Sequence, residues 1–159
     1  MGVALNDVGP ELDPAGLAGI MVYLGRKPAA RSHAEAAMAL PYVLKGFANV
    51  PPERWMQEAQ THFVQTPGGL EITYDPHLRD AVEAGGEVPD LWPFFDALGG
   101  LPLALIRGAN SNLLSAETAL EMRRRRPDML YANIEGRGHV PFLDEADSVF
   151  TIQTWAAML

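Results

Sequence analysis

Two short apolar runs, separated by one helix-length segment, constrain this chain more than any other feature. "LPLALIRG" (101–108) and "MLYANIEG" (129–136) are of strand length, apolar and closed by glycine. Between them "SAETALEMRRRRPD" offers Ser115 as an N-cap and acidic Glu117 and Glu121 ahead of the cations Arg123 to Arg126. Pro127 then stops the helix. Strand, loop, helix, strand is the pattern of a right-handed parallel crossover. A third run, "GVAL" (2–5), runs into Asn6 and Asp7, so three parallel strands are expected near 2–6, 102–107 and 129–134. After His139, a stripe of Val149, Phe150, Ile152, Trp155, Ala156 and Leu159 predicts a closing helix that covers the sheet.

Residues 14–100 follow another rhythm. "AEAAMALPYVLKGF", "PERWMQEAQTHFV" and "PHLRDAVEA" are helical in period and are broken by Pro and Gly, with one short possible strand at "GLEITYD". The expected organisation is a sheet-forming core at 1–13 and 101–159, with a helical excursion at 14–100. Three parallel strands make a small sheet, and parallel sheets are normally covered on both faces. The first strand also has an edge with no sequence-adjacent partner.

Charge and composition exclude several classes. A net charge of -8 disfavours nucleic acid and anionic membranes as partners, because phosphate binding needs a positive field. The run Arg123 to Arg126 reads as a solvated helix end, with a binding patch as the lesser alternative. The absence of cysteine removes disulfides, thiolate nucleophiles and zinc-thiolate sites, and fits a reducing compartment. No signal peptide or membrane span is visible, so a cytoplasmic location is the default expectation. His33, His62 and His77 have no metal-ligand spacing and the glycine pairs lack a P-loop lysine, so neither metal nor cofactor is expected.

The chemistry-bearing residues gather at the strand ends: Asp7 after the first, Asn110, Ser111 and Asn112 after the second, His139 after the third. Ligands of open parallel sheets bind at that edge. His139 is the one residue among them that titrates near neutrality, and Gly136 and Gly138 allow a tight turn in front of it.

"VALNDVGPELDPAGLAGI", "LWPFFDALGGLPLALIRGANSNLLSAETALEM" and "IEGRGHVPFLDEAD", in this order, resemble the α/β-hydrolase superfamily, specifically its esterase-like, cap-bearing members. The resemblance covers nearly the whole chain and implies the C-terminal part of that fold: the last three parallel strands, a helical cap at 14–100 and a closing helix. It implies hydrolysis of an ester or related small substrate through an acyl-enzyme, with His139 as general base. The family's G-x-S-x-G nucleophile elbow has no counterpart here, since the serines are Ser32, Ser111, Ser115 and Ser148. Asn112 stands where the family usually places its acid. An Asn can orient an imidazole but cannot stabilise its cation, and the analogous change in a serine protease costs about 10⁴ in rate. Some members carry the acid after the preceding core strand, the place Asp7 holds here.

Trp92, Phe95 and Trp55 are candidates to line a substrate pocket, or else core residues. The isolated chain is expected to be inactive and to pair with itself or with a missing N-terminal half. The competing expectation is a non-catalytic binding or scaffold remnant of the same fold.

Overall fold

The computed structural model describes residues 1–85 and 89–159. The three expected strands form: β1 (Val3–Asn6) and two more at Leu103–Gly108 and Leu130–Ile134. Two short strands intervene in sequence, so the latter pair are β4 and β5. All three lie in one parallel sheet of order β1-β4-β5, with Val3 opposite Leu103 and Ala104 opposite Leu130. The central strand β4 is buried at every residue, which explains why "LALIRG" lacks the alternation of a half-exposed strand.

Each sheet face has its own cover. Leu103 and Leu105 point to one side, where they meet Leu114, Ala119, Met122 and Met129. These come from or flank α6 (Ala116–Arg125), the crossover helix. Ser115 caps α6 by accepting from the Thr118 amide at 2.9 Å. On the other face Ile106, Ala132 and Ile134 pack with Leu143 and with Ile152 of α7 (Ala146–Ala156). Each fully buried Leu, Ile or Met contributes about 1.5–3 kcal/mol, so these residues hold the small sheet together. Within α7 the buried residues are Ser148 and Thr151, while Phe150 is 70% exposed. Of the expected stripe Ile152 and Trp155 face the sheet, while Val149, Phe150, Ala156 and Leu159 are exposed and Ser148 and Thr151 take their place on the covering face. The Trp155 indole N–H donates to Pro102 O at 3.1 Å.

The residues divide into two compact units, Met1–Leu17 with Pro89–Leu159, and Ala18–Val88. The expected excursion of 14–100 thus narrows at both ends. At its far end α5 (Trp92–Asp96) belongs with the sheet, because Phe95 is buried in the Leu103–Met122 cluster and Trp92 packs against it. α1 (Pro14–Met21) spans the boundary. The unit 18–88 holds α2 (His33–Val43), α3 (Pro52–His62) and α4 (Leu78–Ala84). Ser32 caps α2, its Oγ accepting from Glu35 N at 3.2 Å, and Glu35 reaches back past the cap to accept from Arg31 N at 2.7 Å. α2 and α3 pack through Ala36, Ala37, Leu40, Trp55 and Ala59.

The helical pattern around "THFV" overran. Helix α3 stops at His62, and β2 (Phe63–Thr66) pairs antiparallel with β3 (Gly69–Ile72). Pro67 cannot continue a helix, and Gly69 takes φ +117 in the turn, so local turn chemistry wins over the helical period. Among the described residues no helix is long and apolar enough to cross a membrane.

Candidate active site

The C-terminal ends of the three parallel strands converge through backbone contact. β4 ends at Gly108, and a Cβ there would collide with the carbonyls of Gly138 and Arg137, so glycine is required for the two loops to touch. Asn110 N donates to Arg137 O at 2.8 Å and Ala109 N to Ile134 O at 2.9 Å. These bonds dock the loop after β4 onto the loop carrying His139. Asn6, the last residue of β1, reaches the same loop by donating from Nδ2 to Pro141 O at 3.2 Å.

Asp7 leaves β1 in the left-handed region, φ 55, a conformation that Asp tolerates better than most residues. Its amide still bonds Ile106 O at 2.7 Å, so the turn begins only after the last ladder contact. The side chain is fully buried, and a buried carboxylate needs donors. It has three. Gly108 N–H donates to Oδ1 at 2.9 Å, while Ser111 Oγ donates to Oδ2 at 2.6 Å and His139 Nδ1 approaches the same Oδ2 at 2.8 Å.

A carboxylate only accepts, so His139 carries its proton on Nδ1 and leaves the Nε2 lone pair available. Among the described residues Nε2 has no hydrogen-bond partner. The imidazole is 18% exposed, enough for a reacting group to approach it. The result is one buried carboxylate fixing one imidazole tautomer, with the basic nitrogen turned away from its partner.

The loop around His139 is itself held. Glu145 accepts from Arg137 Nε at 2.8 Å, from the amides of Phe142 and Leu143 at 3.1 and 3.0 Å, and from Ser148 Oγ at 2.9 Å. Burial opposes ionisation of Glu145, yet these donors outweigh it and hold its carboxyl below the usual range. Arg107, buried in β4, ties the second loop: Nε donates to Leu114 O at 3.0 Å and a terminal nitrogen to Asn133 Oδ1 at 3.0 Å.

The remaining sequence candidates fall elsewhere. Asn112 is exposed, and His139 Nδ1 bonds Asp7 rather than Asn112. The acid function expected at Asn112 is thus not where the imidazole finds its partner. The Asn112 carbonyl lies hard against Gly16 of α1, where a Cβ has no room, so the backbone there is fixed. Phe95 is core and Trp92 packs half-buried against it, edge-on at 5.9 Å, with Arg125 stacked on Trp92. Trp55 is buried in the other unit, edge-on to Phe47 at 5.6 Å. The pocket reading of these three aromatics gives way to packing.

The arginine run closes α6 as a paired helix end. Arg124 and Arg125 bond Glu121 and hold its carboxyl at about 2, Arg125 also meets Asp96, and Arg126 meets Asp128. Among the described residues no group of three or more His, Asp or Glu is placed to hold a metal.

None of the serines stands as a free nucleophile. Ser32 and Ser115 cap helices, Ser148 is buried on Glu145 and Ser111 is committed to Asp7. The part of this site that sequence reasoning left without a role is the donor set on Asp7. Ser111 was visible as a polar strand-end residue, but nothing in its spacing says that it points across to another strand's loop.

Three parallel strands covered by helices on both faces are those of the C-terminal part of an α/β-hydrolase fold. Solved structures agree. An α/β hydrolase from Novosphingobium aromaticivorans superposes with a TM-score of 0.89 at 34% identity, over 99% of this chain and 57% of that one. E-2-(acetamidomethylene)succinate hydrolase shares the fold, with a TM-score of 0.69 at 21% identity over 99% of this chain and 55% of that one. Among curated proteins, the 3-hydroxybutyrate-oligomer hydrolase of Cupriavidus necator is 35% identical over 155 residues, 89% of this chain and 52% of that protein. The chain spans about half the length of the relatives it matches. No family model matches it.

Proposed function

We propose that this chain supplies the general base and its acid partner, His139 and Asp7, to an ester hydrolase. The observation that carries the reading is the 2.8 Å bond from His139 Nδ1 to a fully buried Asp7, with Nε2 left free to take a proton. The hydrolase relatives support it. The nucleophilic hydroxyl comes from a polypeptide segment outside these residues, since each serine here has another task. His139 Nε2 accepts the hydroxyl proton as the oxygen attacks the ester carbonyl, and Asp7 stabilises the imidazolium that forms. The same proton then passes to the departing alcohol oxygen. In the second half-reaction His139 takes a proton from a water that attacks the acyl carbonyl, and it returns that proton to the nucleophile's oxygen as the acid departs. The 18–88 unit serves as the cap. The name of the Cupriavidus relative makes esters of short hydroxy acids the first substrates to try.

The test is a fusion in which this chain replaces the matching half of the Novosphingobium hydrolase. It is assayed on 3-hydroxybutyrate dimer and on short p-nitrophenyl esters. Turnover that falls at least about 10³-fold in His139→Ala supports the reading. A folded fusion that turns over no ester, or whose turnover ignores His139→Ala, favours a non-catalytic module on the same fold.

A further inference from the structure

Ser111, in the loop after β4, sits beside the Asp7–His139 pair with every hydrogen-bonding capacity of its hydroxyl engaged. Ser111 Oγ accepts from two amides, Leu113 N and Leu114 N, both at 3.1 Å. A hydroxyl has two acceptor lone pairs and one proton, so with both lone pairs engaged the proton has one direction left. It points to Asp7 Oδ2 at 2.6 Å, the oxygen that also holds His139 Nδ1.

We propose that Ser111 is a positioning residue acting on His139 through Asp7: by sharing Oδ2 with the imidazole it fixes the carboxylate's orientation and moderates the proton affinity of His139. The inference rests on the Asp7–His139 pair of the proposed function and deepens it.

The physical reason is charge sharing. Three donors spread the negative charge of Asp7, and a carboxylate relieved of one of them attracts the imidazolium more strongly. The amides that aim Ser111 belong to the turn leading into α6, whose Leu114 carbonyl is anchored by buried Arg107. The hydroxyl is therefore directed by backbone that is itself tied down. Other charged groups on the surrounding elements are Arg107 of β4, Asp144 and the Arg137–Glu145 pair of the His139 loop, and Asp147 at the start of α7. The imidazole bonds none of them.

The experiment is a ¹⁵N NMR titration of the histidine rings in the chain itself, which needs no catalysis. Ser111→Ala removes the donor, and the His139 midpoint should rise by about 0.5–1 unit, a 3- to 10-fold gain in proton affinity. Ser111→Thr keeps the hydroxyl and should leave the midpoint at the wild-type value. Ser111→Cys, a weak donor of similar size, should fall between, and it carries the test if the alanine variant does not fold. His33, His62 and His77 report any general loosening and should not move. Asp7→Asn separates the two readings. If it fails to lower the His139 midpoint, the Asp7–His139 pair is overturned, and this inference with it. If it lowers the midpoint while Ser111→Ala and Ser111→Cys leave it unmoved, or if Ser111→Thr shifts it as far as alanine does, Ser111 alone loses its role.

Discussion

The ends of β1 and β4 lie side by side, and each offers one short polar residue where a hydrolase could keep its acid. Asp7 is fully buried, takes three donors and touches the imidazole; Asn112 is exposed and does not. The difference lies in the backbone. The left-handed turn at Asp7 folds its side chain back across the edge of β4, where the Gly108 N–H and Ser111 hydroxyl wait. Past Ser111 the chain is committed to starting α6, so Leu113 and Leu114 enter the core and Asn112 is left outside. Neighbouring strands in one sheet thus reach opposite outcomes through a single turn.

The largest effect expected is on catalysis. In the fusion enzyme Asp7→Asn should lower kcat/KM by about 10⁴, or about 5.4 kcal/mol of transition-state stabilisation. Asn112→Ala should stay within about threefold. Steady-state kinetics on the two variants measure the contrast directly. Equal losses would mean that both strand ends act on the imidazole.

Next in size is a packing effect that separates stability from the site. Gly108→Ala and Gly16→Ala each force a methyl into a backbone carbonyl, of Gly138 and of Asn112 respectively, and each should cost about 1–3 kcal/mol in urea unfolding. Only Gly108→Ala should also disturb His139, because the Gly108 N–H is the donor to Asp7 Oδ1. The His139 ring resonances distinguish the two. A shift in Gly16→Ala as large as in Gly108→Ala would show that the Asn112 side is coupled to the imidazole after all.

How far such a contrast can be read from residues depends on distance along the chain. The three parallel strands, the Ser115 cap and His139 at a strand end follow from local pattern, and all three are present. Asp7 stands out because the resemblance places an acid there in some members. Which of Asp7 and Asn112 meets the imidazole depends on a bond spanning 132 positions and on a positive φ, and neither leaves a periodic trace. The aromatic residues fail for a related reason. Trp92, Phe95 and Trp55 look the same in sequence whether they line a cleft or pack a core, and here Phe95 and Trp55 are buried and Trp92 packs half-buried against the Phe95 cluster. β3 falls on the short strand expected at "GLEITYD", while its partner β2 was hidden by a helical period that Pro67 and Gly69 interrupt.

A smaller effect concerns the loop that brings His139 to Asp7, and it depends on pH. Glu145 ionises more readily folded than unfolded, so its stabilisation is complete above the unfolded value and drains away as pH falls through the lower folded one. Global stability should therefore drop on acidification below the ordinary carboxylate range. Glu145→Gln should remove that part of the slope and lower stability at neutral pH by about 1–2 kcal/mol through weakened bonds to Arg137, Ser148 and the two amides. Urea midpoints from pH 3 to 7 supply the measurement. An unchanged acid slope in Glu145→Gln would shift the origin of the pH dependence to other carboxylates.

The smallest effect expected comes from restoring the residue that the resemblance leads one to expect. Asn112→Asp gives the loop after β4 its carboxylate, on an exposed side chain whose backbone is wedged against Gly16. Exposure makes the substitution nearly neutral for stability, within about 0.5 kcal/mol. The wedge leaves the loop no room to swing, and His139 Nδ1 is already taken by Asp7. Asn112→Asp in the fusion should accordingly alter kcat/KM by no more than about threefold. It should restore little of the activity lost in Asp7→Asn, because an acid acts on the base only when it touches it. The double variant Asp7→Asn/Asn112→Asp is the decisive measurement. Recovery to near wild-type turnover would mean that the imidazole can turn from one strand end to the other, and that the contrast between Asp7 and Asn112 is one of occupancy rather than of geometry.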